Sequence, residues 1–272
     1  MKKIFALIVL LPILVLAQDW AGVQRSTYEA QTPQDRGGVG ITNWGEGERI
    51  ISATGIGVVS DNPINAARER ANAMRAAKIV ALRDLLEQVK GVQINSTTTI
   101  QNFETVDDTI IARVSGVVQG AYEVGSPRYM SDGSIERTFA ISLDGQLADA
   151  VLTETYNTTV HPGGGDNTGL IIDASGLGAM PAMSPKIVNQ SGDVLYGPMN
   201  VSRDYAVSVG IVGYARSVDE ARGGDRVGTN PMVIRAVSVT GAAKCDLIVS
   251  NPDGSKIPYV SGISDCRVTI VL

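Results

Sequence analysis

From Arg49 onward the hydrophobic and polar positions fall into regular order. RIISATGIGVV, residues 49–59, is dense in β-branched residues and predicts a strand. SDNP then stops it and opens a helix, with Asn62 as N-cap and Pro63 in the first turn. The helix is expected to run to about Lys90, with Gly91 just beyond it as a left-handed cap. Arg68, Asn72, Arg75, Arg83, Glu87 and Lys90 recur at helical spacing on one side, and Ala66, Ala73, Met74, Ala77, Ala81 and Leu85 on the other. Small alanines let a helix axis approach closely, so this helix is expected to lie on a sheet.

QINSTTTIQNF reads as a strand or extended segment, and TVDDTIIARVSG as a short helix or a helix-to-strand transition. VVQGAYEVGSPRYM and SIERTFAISLDG then form a hairpin across Ser131-Asp132-Gly133. In the second of these strands Ile135, Phe139, Ile141 and Leu143 alternate with Glu136, Thr138, Ala140 and Ser142, which gives one buried and one wet face. QLADAVLTETY closes the unit as a helix. Every period is broken by the run from His161 to Gly169, which reads as a linker. Beyond it the runs GLIID, PKIV, DVLYG, NPMVIRAVSV, CDLIVS and CRVTIVL alternate with turns, with one short helix at SVDEAR. The fold class is α+β: a strand, long helix, β-hairpin and helix module, followed by a mostly β C-terminal domain. Its divisions are a signal peptide over 1–17, an extended arm over 18–48, the α+β domain over 49–157, a Gly-rich linker over 158–168, and the mainly β domain over 169–272.

The first residues refine this picture. Lys2 and Lys3, the apolar stretch Ile4 to Leu16 and the small residue Ala17 compose a secretory signal peptide, with cleavage between Ala17 and Gln18. A permanent anchor needs ~20 apolar residues, and Pro12 interrupts this shorter run. A lipoprotein would carry a cysteine at the cleavage point, where Gln18 stands. Both tryptophans, Trp20 and Trp44, lie in the arm and are read as candidate interface anchors, or as covers for grooves on their own domain.

The chain of 272 residues is 44% hydrophobic but only 5% aromatic, so its core must be aliphatic. Losing Lys2 and Lys3 takes the net charge from −5 to −7, which opposes nucleic-acid binding and simple adhesion to anionic lipid. Cys245 and Cys266 are the two cysteines. In an exported chain they are expected to form a structural disulfide, contributing about 3 kcal/mol by restricting the unfolded chain. The alternative, a redox or metal pair, lacks a CxxC spacing.

Gly55 and Gly57 pose a question of chemistry, because two glycines between a strand and a helix suggest a phosphate cradle. The G-x-G-x-x-G fingerprint fails at Ser60, and no Gly-Lys-Ser/Thr follows. Glycines in a strand also permit close approach of a neighbouring backbone, and the alanine-faced helix is the natural neighbour. His161 is the one histidine and lies in the linker, no G-x-S-x-G elbow occurs, and Asp107-Asp108 reads as charge at a helix N-terminus. Catalytic, cofactor-binding and metal-binding residues are therefore expected to be absent.

The order GIGVVSDN, AARERANAMRAAKIVALRDLLEQVKGVQI, GVVQGAYEV and FAISLDGQLADAV, over about 49–152, resembles the family that joins small outer-membrane lipoproteins with the N-terminal domain of flagellar assembly protein T. The resemblance implies a periplasmic or outer-membrane building block without catalytic residues, including members of flagellum-associated rings. The lipoprotein cysteine is missing. The expected function is an exported, non-enzymatic assembly protein of the bacterial envelope, self-associating or joining other envelope or flagellar proteins. The alternative is a periplasmic or surface binding module for glycan or peptide.

Overall fold

A computed structural model describes residues 41–45, 49–59, 64–104, 108–153, 156 and 164–272. The glycines of the first long strand explain its architecture. β1 (Ile41–Asn43) and β2 (Ile50–Gly57) pair antiparallel, and β2 then pairs with the second strand of the hairpin. α1 (Ala66–Gly91) buries Ala73, Ala77, Ala81, Leu85 and Val89, one residue per turn, on this sheet. A Cβ on Gly55 would lie 2.0 Å from the Ala77 carbonyl oxygen, and one on Gly57 1.8 Å from that of Ala73. Helix and strand backbones therefore touch with only hydrogen atoms between them.

The described helix begins later than expected: Asn65 is the N-cap and its side chain accepts from the Arg68 N–H at 3.0 Å. Asn62 and Pro63 lie outside the described residues. Gly91 is the last helical residue and does not adopt a left-handed conformation; Val92 ends the helix in an extended conformation, donating to Val89 O.

α2 (Ile100–Glu104) and α3 (Asp108–Gln119) follow, so the stretch expected as a strand or extended segment ends in a helical turn. Gln93 and Thr99 form only an isolated bridge, because the Asn95 side chain accepts from the N–H groups of Thr97 and Thr98 and turns the chain between them. β3 (Tyr122–Tyr129) and β4 (Ile135–Ser142) are the hairpin, and the sheet order is β1-β2-β4-β3. Arg137 grips Glu123 with both carboxylate oxygens at 2.6–2.7 Å, donates to Met74 O of α1, and lies 4.9 Å from the Phe139 ring centroid. α4 (Gln146–Val151) closes the module.

The C-terminal residues form a seven-stranded mixed sheet, from β5 (Gly169–Asp173), β6 (Ile187–Asn189), β7 (Val194–Tyr196), β8 (Gly213–Ala215), β9 (Pro231–Thr240), β10 (Asp246–Val249) and β11 (Val268–Val271). Its order is β7-β6-β10-β9-β5-β11-β8. Short helices α5 (Arg203–Val209), α6 (Val218–Gly223) and α7 (Asn251–Gly254) connect the strands. The fold is α+β, as expected. Buried side chains of both halves, among them Leu85, Leu147, Leu170 and Ile234, belong to one hydrophobic cluster.

The expected disulfide is not formed: Cys245 and Cys266 are both free and buried. The topology explains why. Each cysteine stands just ahead of its strand, but β10 runs antiparallel to β9, while β9, β5 and β11 are mutually parallel. The two thiols thus lie at opposite ends of the sheet, and their strands are three spacings, about 14 Å, apart. A disulfide tolerates roughly 4.4–6.8 Å between Cα atoms. Burial, as the largest cause, pushes each thiol pKa up to about 12, which keeps both protonated and unreactive. A chromogenic disulfide reagent should therefore find no reactive thiol in the native protein and two per chain after unfolding without reductant; a crosslinked pair would release none.

Candidate functional site

The halves meet at a cleft built around Arg49. Its carbonyl accepts from the Leu143 N–H at 2.7 Å where β2 begins and β4 ends, which brings Arg49 and Asp144 out side by side. Arg49 Nη1 lies 3.0 Å from Asp144 Oδ1 and donates to the carbonyls of Val209 and Val212 at 3.4 and 3.3 Å. Its guanidinium carbon is 5.5 Å from the Trp44 ring centroid, and Trp44 meets Tyr214 edge to face at 5.7 Å. Gly45 bridges to Tyr214, so the end of β1 continues onto the edge of the large sheet. Gly210, with φ of 76°, leaves room for the guanidinium: a Cβ there would lie 1.5 Å from Arg49 Nη1.

Arg49 is only 5% exposed. The Asp144 contact is an ion pair without hydrogen-bond alignment, for Asp144 Oδ1 and Arg49 Nε have no hydrogen-bond partner among the described residues. Burial lowers the Arg49 pKa, opposed by Asp144, and the guanidinium still stays charged. Burial likewise holds the Asp144 carboxyl above its ordinary value, against the smaller pull of Arg49 and Arg226.

Arg226 secures the opposite wall. It donates to Gly210 O at 3.1 Å, Cys266 O at 2.9 Å and Val209 O, serving the open carbonyl end of α5 and the left-handed turn at Cys266. The space between is a cleft of about 600 Å³, bordered also by Tyr205, Asp225, Asp265 and Arg267.

A second feature lies on the outer face of the large sheet. α6 covers β5, β8 and β11 there, forming a small cluster of Ile171, Ala215, Ala221, Val227 and Val271. Register carries the same face across the other strands, from Ile171 to Val233, and from Ile248 to Val188 and Val194. Val233, Val237 and Val194 are 37%, 46% and 51% exposed, so this half of the sheet presents apolar side chains to solvent around the exposed Arg235.

Residues 169–272 match the family model described as Treponema pallidum Tp0624, second domain. The whole seven-stranded sheet falls within that match, as do the Tyr205, Asp225, Arg226 and Arg267 borders of the cleft; Arg49 and Asp144 lie outside it. No curated protein matches the chain. The Tp0624 second-domain match overturns the family suggested by residues 49–152: the matching family is not that of outer-membrane lipoproteins or flagellar assembly protein T. The residues that carried that resemblance have a local physical explanation, since close packing of β2 on α1 alone requires Gly55, Gly57 and the alanine face.

Of the residues singled out in the sequence, Trp44 stands in the seam between the halves, while Ala17, Gln18, Trp20 and His161 lie outside the described residues. Arg49, Asp144 and Arg226 were not singled out, and they come from segments up to 177 positions apart. The usable signal was the charged residue, Arg49, that opens the β-like run. Among the described residues, no three His, Cys, Asp or Glu side chains converge to hold a metal, and no helix is long and apolar enough to cross a membrane.

Proposed function

We propose that the protein is an exported, non-enzymatic building block of the bacterial envelope that self-associates through the outer face of its seven-stranded sheet. The observation that carries this reading is the outer face of the sheet, where Val233, Val237 and Val194 are exposed, with Arg235 between the first two. The leader-like sequence over residues 1–17 supports export. Burying such a face against a second copy removes apolar area from water at about 25 cal/mol per Å².

Sedimentation velocity of the mature chain over a micromolar concentration range tests it. The wild type should shift toward larger species with concentration. Val194→Lys combined with Val237→Lys should remain monomeric with the thermal midpoint unchanged. A wild type that stays monomeric throughout would overturn the reading.

The alternative of a binding module is favoured by one observation, the cleft at the Arg49 junction. Its mixed charges suit a peptide better than an uncharged glycan.

A further inference from the structure

Six charged side chains border the junction cleft, and four of them are already engaged. Arg49 pairs with Asp144, Arg226 is taken up by three carbonyls, and Asp265 accepts from the Ser264 hydroxyl at 3.1 Å. Arg267 and Asp225 remain. Both line the cleft and both are exposed. Neither side chain has a hydrogen bond or ion pair among the described residues, and they do not pair with each other. A free cation and a free anion therefore border the same 600 Å³ space. Tyr205 and Val209, 45% and 40% exposed, supply an apolar wall for the carbon skeleton of a ligand. The floor is fixed by the buried Arg49, whose Nε has no partner.

We infer that this cleft binds a small zwitterion, a free amino acid or short peptide, with its carboxylate on Arg267 and its ammonium on Asp225. A guanidinium fork matches a carboxylate bidentately, and a carboxylate accepts from an ammonium; each contact is charge-assisted. The volume lies within the range of small-ligand pockets. Requiring both charges at once discriminates against simple anions and simple amines, because a ligand lacking one leaves a protein charge unanswered. This inference does not depend on self-association through the sheet face.

Isothermal titration of the full mature chain with L-alanyl-L-alanine, its N-acetyl form and its C-terminal amide provides the test. The free dipeptide should bind at least tenfold more tightly than either blocked form. Arg267→Ala should erase the preference for the free carboxylate while keeping that for the free amine, and Asp225→Asn should do the reverse. Both residues are exposed, so both variants should keep the wild-type thermal midpoint. Absence of binding to the free dipeptide would overturn the inference. So would equal binding of the acetylated form, which would mark a plain anion site, or discrimination that survives both substitutions.

Discussion

Gly57→Ala is expected to destabilise the protein by about 3 kcal/mol, the upper range for forcing extra volume into a packed interior. The added methyl would stand 1.8 Å from the Ala73 carbonyl oxygen and 2.6 Å from its carbon, and both are backbone atoms that no rotamer change can move. α1 would have to lift away from β2, loosening the stripe from Ala73 to Val89 that joins helix to sheet. For a chain of this size the thermal midpoint should fall by about 9 °C. Gly91→Ala is the internal control: its Cβ meets nothing within 4 Å, and it closes a helix in which alanine is the better former. That variant should be neutral or slightly stabilised. Equal midpoints for the two variants in circular-dichroism melts would show that the close approach of β2 and α1 carries little weight.

The same glycines show how much was legible in the sequence. Periodicity located α1, the hairpin and most C-terminal strands, because each is long enough to repeat its pattern or is bounded by turn residues. It missed β8 and α5: Gly213–Ala215 is too short to show a period, and Arg203–Val209 buries only Ala206. Strand order was not legible at all, since pairing β10 with β9 and β11 with β5 is a long-range choice that local pattern does not encode. The disulfide expectation failed for this reason, as sequence separation carries no information about sheet position. The cleft escaped notice because its charges are scattered along the chain and become a site only when both halves pack.

Removing the counter-charge at the junction is the other substitution with a large expected effect. Asp144→Asn leaves the Arg49 guanidinium buried beside a neutral group, and breaking a buried pair on one side costs about 3–5 kcal/mol. Arg49→Met should cost less, because the Asp144 side chain is 18% exposed and can recruit water. Replacing both, as Arg49→Met with Asp144→Leu, should recover most of the loss, since neither desolvated charge then remains. The pH dependence gives an independent reading. The folded-state pKa of Asp144 is raised by burial, so the ionised form is disfavoured in the folded protein, and this site's contribution falls as pH rises through that raised value. In Arg49→Met the opposing cation is gone and the carboxyl should rise further. Stability at neutral pH, relative to about pH 4, should therefore drop more in Arg49→Met than in the wild type. Carboxylates with lowered values, such as Glu123 beside Arg137, act in the opposite sense but equally in both proteins, so they cancel in the comparison. Urea midpoints for the two proteins at both pH values measure the difference, and identical pH profiles would mean that Arg49 does not govern the charge of Asp144.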